Sequence, residues 1–508
     1  MEPADRRLVM LLSLVAFGLA GILAVGPLGG IAHISDEVAY TLQAKLFAAG
    51  MRTGPPADEP SLLLYPFWQT GPRSYAVFPP GWPALLAAGL AVGVPWLVNA
   101  LAAACLPGLS WLLAGAWQRP QEEARLAAMV AALSPGIVLL AGSRMAHTTV
   151  LLGLMLALVV VERRRDPPAA WLLAGLGLGY VVLARPFDAL VVGGPLLLVG
   201  LLRAPRSAAR TALLLPPAIA AGLLLLDNQG LTGHPLRFPV NPWFDEWVAD
   251  MGRGPGCNRL GFGEDRGCHP TLGSWGHDPG KAASFAGETL VLLDRFLLGV
   301  PGGLLLVLLG AWRSRALAWP LGLTLAVVGG YALYWSPGNV FGARFWHPLY
   351  LFLPVLLAAG LGALPRPLRA ASPLLLMLGC LHGLGRASVE LREGYWCVND
   401  RVARLLEREG VEEGLVYLAG GGERTEDWPW LGREGFSCDP LLASGAAFQL
   451  ADPTRVQGGL QVRHALPDAE QLQLYRAARH PDARAWLIVH DLAKDQYRIR
   501  ELPDPPAP

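Results

Sequence analysis

The chain is short of charge. Of its 508 residues only 16% are Asp, Glu, Lys or Arg, against 53% hydrophobic residues, and the mean hydropathy is +0.38. That balance excludes an ordinary soluble enzyme and fits a lipid-embedded chain with some aqueous portion. An excess of either sign is missing as well: 41 basic against 40 acidic residues leave a formal charge of +1, which gives no footprint for nucleic acid. Two further absences bear on function. The sequence shows no internal repeat, and its unusual ionisable groups avoid the middles of the apolar runs. Both count against a secondary transporter, whose binding groups lie at the midplane between repeated halves.

Apolar runs alternate with short Arg-rich breaks from Leu8 to about Arg386, after which the chain turns polar. A membrane domain, 1–387, followed by a small aqueous domain, 388–508, is the expected division. The run Leu8 to Leu28 follows Arg6 and Arg7 as a signal peptide would. At about 20 residues and ~1.5 Å per residue it crosses a core of about 30 Å, and many later runs follow, so it reads as a retained first span.

Arginines set the orientation. The clusters Arg6–Arg7, Arg119–Arg125, Arg163–Arg165, Arg203–Arg210, Arg313–Arg315 and Arg366–Arg369 all reach the cytoplasm if spans lie near 8–28, 96–117, 123–141, 147–162, 169–184, 188–203, 209–227, 296–312, 316–335, 349–364 and 371–387. That makes about eleven spans, with the N-terminus inside and the C-terminus outside. "GWPALLAAGLAV", Gly81 to Val92, is too short to cross and is expected at the outer interface. Nearly every unusual polar group then falls on the outer side. The long outer loop, from Asn228 to about Leu293, is rich in Gly, Pro, His and Trp, as functional loops at a cavity mouth often are.

Cys105 and Cys380 lie in apolar spans as inert core residues. Cys257 and Cys268 share the long outer loop, and Cys397 and Cys438 share the tail. Two disulfides on the extracytoplasmic side suit an oxidising compartment. Unpaired thiols, or a zinc site of Cys257, Cys268, His269 and His277 that lacks tight ligand spacing, are the alternatives.

In "HISDEVAYTLQAKLFAAG", Ser35 is placed to cap a helix whose first turn carries Asp36 and Glu37. Val38, Leu42, Leu46 and Ala49 recur at helical spacing, which predicts an amphipathic helix on the outer surface with Asp36, Tyr40 and Gln43 facing away from the lipid. Capping explains one acid but not two. The nearby aromatics Trp68, Tyr75, Phe78 and Trp82 suit interfacial anchoring.

Taken in order, "SDEVAYTLQAKLFAAG", "YAVFPPGWPALLAAG", "SRMAHTT", "LARPFDAL" and "GARFWHPLYLFLPVLLAAGLG" resemble the C-type (GT-C) glycosyltransferase superfamily. The nearest group is the bacterial family 39 relatives of protein O-mannosyltransferases and of the lipid A aminoarabinose transferase. The resemblance covers about residues 8–365. It implies an all-α, polytopic GT-C-like membrane domain with interfacial helices in the first outer loop. It also implies an enzyme that takes a sugar from a polyprenyl-phosphate donor at the outer face of the bacterial cytoplasmic membrane and passes it to a glycan, glycolipid or protein. A multi-pass transporter or a noncatalytic envelope scaffold is the alternative.

The same resemblance makes Asp36 the catalytic base, with Glu37 beside it: an acceptor hydroxyl attacking an anomeric carbon needs a carboxylate for its proton. The leaving phosphate needs positive charge, and Arg344 is the first choice because a guanidinium grips phosphate in bidentate fashion. Arg144, His147 and Arg185 stand on neighbouring outer turns as further candidates. Snorkelling to lipid headgroups is the bland account of each arginine, and Asp188 stands ready to clasp Arg185. Tyr40, Lys45 and Tyr75 are assigned to substrate. No cofactor is expected, since one Asp-Glu pair makes a poor cage for a divalent ion. In the tail, "NDRVARLLEREG" reads as an amphipathic helix and "EEGLVYLAG" and "ARAWLIVHD" as buried strands of an α/β fold.

Overall fold

The apolar runs form helices, and proline and glycine punctuate them. The computed structural model describes residues 2–57, 59–63, 65–164, 167–249, 256–267, 276–314, 318–392, 394–419, 425–428, 431, 433–437, 443–455, 458–466, 468–491 and 496–505. The first run is α1 (Pro3–Val25) and the acidic stretch is α2 (Ser35–Ala48). A two-residue hairpin follows, β1 (Trp68–Gln69) and β2 (Tyr75–Ala76), and then α3 (Gly81–Ala91). Next come α4 (Leu97–Ala116), α5 (Gln121–Leu133), α6 (Pro135–Gly142), α7 (His147–Arg163) and α8 (Pro168–Ala184). Pro135 and Pro168 stand at helix starts, where the missing N–H costs nothing.

Beyond them lie α9 (Pro186–Arg203), with one wide turn at Ala189–Gly193, and α10 (Ser207–Thr232). The long segment after α10 carries α11 (Val240–Ala249) and α12 (Pro279–Leu298), followed by α13 (Gly303–Ser314) and α14 (Ala318–Tyr331). A 3-10 turn (Arg344–Leu351) leads into α15 (Leu353–Gly362), and α16 (Arg366–Arg392) ends the apolar part.

Among the described residues six helices are long and apolar enough to cross a membrane, and eight if each of two bent pairs is one span. The sequence led to about eleven. The difference has local causes. Pro168–Ala184 and Trp319–Tyr331 are apolar but short. The span expected at 296–312 is only α13, joined through an 85° bend to α12, which the sequence had placed in a loop. Gly299 makes that bend at φ 77, and a Cβ there would meet Gly379 O at 2.0 Å.

The bundle is packed through small residues, the usual route to close helix contact in lipid. A Cβ on Gly310 would lie 1.9 Å from Leu356 O and one on Gly360 2.0 Å from Leu306 O, so α13 and α15 touch backbone to backbone. Outward-facing leucines such as Leu14, Leu172, Leu190, Leu226, Leu305, Leu325 and Leu375 remain exposed, as lipid-facing side chains do. Cys105 is exposed on this surface rather than in the core where the sequence placed it; Cys380 is buried.

After α16 come α17 (Arg401–Arg408), β3 (Gly414–Ala419), the hairpin β4 (Thr425–Trp428) and β5 (Arg433–Ser437), α18 (Gly445–Phe448), β6 (Leu460–His464), α19 (Ala469–Arg479), β7 (Ala485–Asp491) and β8 (Gln496–Glu501). The segments read as a helix and two strands are α17, β3 and β7. The main sheet has the order β6-β3-β7-β8, with β3 parallel to both neighbours and β8 antiparallel to β7.

This sheet covers α2. Val38, Leu42 and Leu46 share a buried cluster with Val402, Leu406, Val416, Phe448, Trp486 and Ile488, whereas Tyr40 and Ala44 belong to the cluster of the helical bundle. The expected sidedness is therefore reversed. The apolar stripe meets protein, not lipid, and the side bearing Asp36 and Tyr40 turns toward the bundle. Periodicity reveals that a face is apolar but not what it packs against.

Cys257 and Cys397 are disulfide-bonded, which removes Cys257 as a zinc ligand. Cys268, His269 and Cys438 lie outside the described residues, as do Arg165 and Arg315.

Candidate active site

Asp36 lies in the first turn of α2, and Arg344 opens the 3-10 turn. Across 308 residues of sequence, Arg344 Nη1 donates to Asp36 Oδ1 at 3.4 Å. The side chains are 12% and 18% exposed, respectively. A tight charge-assisted bond is about 2.7–2.9 Å, and this contact is longer. Arg344 Nε is buried with no hydrogen-bond partner among the described residues.

A second guanidinium stands beside the first. Arg344 Cζ is 5.2 Å and Arg185 Cζ 5.9 Å from the centre of the Phe345 ring, which itself stacks on Tyr331 at 4.9 Å. Arg185 is clasped by Asp188, as the sequence foresaw, and its Nη2 donates to the Tyr331 hydroxyl at 2.9 Å. Tyr40, one helical turn beyond Asp36, is buried with its ring 4.7 Å from Phe78. Burial raises its phenol above the ordinary value, with Asp36, Arg185 and Arg344 all within electrostatic reach.

His147 begins α7, and its ring lies 6.2 Å from that of His347. Both are 2% exposed. Neither ring nitrogen of His147, nor Nε2 of His347, has a partner among the described residues, so the site holds unused hydrogen-bonding capacity beside its arginines. Sequence reasoning alone does not single out His347 or Tyr331. His347 had a signal: it follows Arg344 by three residues, which in a 3-10 turn puts both on one side.

Glu37 has a different task. It is 1% exposed, and its carboxylate accepts the backbone N–H groups of His33 at 2.8 Å, Ile34 at 3.3 Å and Arg144 at 2.6 Å. Burial pushes its carboxyl up and these bonds oppose that rise. Ile34, not Ser35, occupies the cap position, and no side chain caps the helix there. Glu37 reaches back to the chain entering α2 instead, as the third-position acid of a capping box does.

Arg144 completes this brace. Its Nη1 donates to Thr41 Oγ1 at 3.0 Å and its Nη2 to the Gly30 carbonyl, and burial brings its pKa down to about 10. Asn99 and Trp82 hold the same turn: Asn99 Nδ2 donates to the Ser143 and Met145 carbonyls, each at 2.8 Å, and Trp82 Nε1 to the Arg144 carbonyl at 2.7 Å. The guanidinium of Arg144 is thus committed to protein oxygens.

Two expected substrate residues stand apart from Asp36. Lys45 Nζ donates to the carbonyls of Gln449 at 2.8 Å and Ala451 at 2.7 Å, under the C-terminal sheet. Tyr75 lies in the hairpin near Arg73, Glu246 and the Arg52–Asp227 ion pair.

No protein-family model matches the sequence, and no curated protein matches it significantly. Solved structures do. ArnT from Cupriavidus metallidurans bound to undecaprenyl phosphate aligns with a TM-score of 0.56 at 14% identity, over 97% of this chain and 94% of that one. The apo state of ArnT aligns with a TM-score of 0.50, also at 14% identity, over 96% and 94%. At such identity the likeness establishes the fold.

Proposed function

We propose that this chain is a glycosyltransferase that moves a sugar from a polyprenyl-phosphate donor to a hydroxyl of a glycan, glycolipid or protein, with inversion at the anomeric carbon. Asp36 takes the proton of the acceptor hydroxyl as its oxygen attacks C1. The bond from C1 to the phosphate oxygen breaks, and its electron pair leaves with the lipid phosphate. Arg344 meets that phosphate in place of Asp36, and this exchange frees the carboxylate to act as base. Arg185, fixed by Asp188 and Tyr331, adds positive potential, and His147 and His347 offer ring nitrogens to the sugar or phosphate. One observation carries this reading: a partly buried Asp36–Arg344 pair at 3.4 Å in a fold shared with a protein that binds undecaprenyl phosphate.

The reaction belongs at the outer face of a bacterial cytoplasmic membrane. In this placement the chain makes about eleven passes through residues 1–387, with the N-terminus in the cytoplasm and 388–508 outside. The disulfides at Cys257 and Cys397 favour it, since both then lie in the oxidising compartment.

The test is mass spectrometry of envelope glycans and lipid-linked sugars in a deletion strain carrying either the wild-type or the Asp36→Asn gene. A polyprenyl-phosphate sugar should accumulate in the Asp36→Asn strain while one glycan modification disappears. A normal glycan profile with Asp36→Asn protein present in the membrane would sink the assignment.

A further inference from the structure

The chain just after α16 touches both halves of the site. Tyr395 is fully buried. Its carbonyl lies 3.2 Å from His33 Nδ1, while His33 Nε2 sits 2.9 Å from the Leu28 carbonyl. His33 is therefore wedged between the end of α1 and Tyr395, three residues before Asp36. At its other end Tyr395 accepts the Phe341 N–H on its hydroxyl at 3.2 Å, and its ring packs on that of Phe341 at 5.1 Å. Phe341 stands three residues before Arg344.

The backbone at this junction is held in an unfavourable shape. Phe341 has φ 53, and Trp396 and Cys397 have φ 56 and 64, all in the left-handed region that bulky residues avoid. Such conformations persist only where the surroundings impose them, and they gather where geometry matters for function. The disulfide at Cys397 anchors one side of the contact. A second grip supports it: the buried Gln449 side chain pairs with the Ala32 backbone in both directions, Ala32 N–H to Oε1 at 2.7 Å and Nε2 to the Ala32 carbonyl at 3.1 Å.

We propose that Tyr395, supported by Gln449, is a positioning residue of the transfer site. It sets the separation of Asp36 and Arg344 by holding the chain three residues upstream of each, and so makes the C-terminal segment part of the catalytic apparatus. This rests on Asp36 and Arg344 forming that site. A hydroxyl that merely filled space would affect folding and be indifferent to what stands at position 344; a positioning hydroxyl acts through Arg344.

The experiment is equilibrium binding of undecaprenyl phosphate to the full-length protein in lipid nanodiscs, with melting curves, for wild type, Tyr395→Phe, Arg344→Lys and the double variant. Arg344→Lys should weaken binding about thirtyfold and Tyr395→Phe about tenfold. In the Arg344→Lys background Tyr395→Phe should add less than about twofold, the non-additivity of residues acting as one unit. Gln449→Ala should couple to Arg344→Lys in the same way, and it serves if Tyr395→Phe does not fold. Losses that multiply in full, or wild-type binding by Tyr395→Phe and Gln449→Ala while Arg344→Lys is impaired, overturn the positioning role alone. Wild-type binding by Arg344→Lys overturns the site itself, and the proposal with it.

Discussion

Asp36 and Glu37 are adjacent, yet their carboxylates serve different parts of the molecule. Asp36 meets the Arg344 guanidinium at 3.4 Å, whereas Glu37 is enclosed and takes three backbone N–H groups, one of them from Arg144 across the fold. The first has a cationic partner, and the second holds the chain that enters α2.

Glu37→Gln should therefore damage folding more than chemistry. The amide keeps one acceptor oxygen and turns an NH₂ toward backbone donors, which costs about 2–3 kcal/mol. Melting curves should show a clear loss for Glu37→Gln and almost none for Asp36→Asn, whereas product formation should fall about 10²-fold in Asp36→Asn. Equal melting temperatures for the two variants would contradict this division.

Arg344 and Arg144 should separate in the same manner. Arg344→Ala is expected to weaken undecaprenyl phosphate binding on the order of a hundredfold. In Arg144→Ala the donors to Thr41 and Gly30 disappear, so thermal stability should drop while binding by the folded fraction stays within about twofold. Titration of the lipid phosphate into each purified variant, beside its melting curve, checks both.

Orientation is open to direct measurement. A reporter active only outside the cytoplasm should work when fused after Glu390, and a cytoplasmic reporter should work when fused at Arg164. A cytoplasmic signal from the Glu390 fusion would mean that one apolar segment has been assigned to the wrong side.

Lys45 gives a pH signature. Burial brings its ammonium down to about 8 from an ordinary 10.5, so between those values the unfolded chain holds a proton that the folded chain has released. The cost of burying the charge is complete below pH 8 and fades as the pH rises to 10.5. Wild type should accordingly gain thermal stability relative to Lys45→Met between pH 7 and pH 10. A constant difference would show that the ammonium is solvated.

Much of this was legible in one dimension. The apolar runs, the short α3, the helical α2 and the strands β3 and β7 all follow from local pattern, and Asp36 and Arg344, named separately from the sequence, are brought into contact by the fold. What escaped was long-range. Nothing near Tyr395 announces a contact with His33, 362 positions earlier in the chain. The 85° bend after Leu298 turned a supposed loop into a helix, because a window of hydropathy cannot register direction. The sequence ranks Arg344 above Arg144, but only the oxygens around each show that Arg144 is committed to Thr41 and Gly30 while Arg344 meets Asp36.

With the bundle on one face of α2 and the C-terminal sheet on the other, this helix has almost no neutral ground on which to vary. Ten of its fourteen residues are buried, and a lengthened or rotated α2 would clash with one layer or part from the other. The chain that enters it is gripped as well, at Ala32 by Gln449 and at His33 by Tyr395. The fourteen positions of α2 should therefore change only in step with partners in both layers.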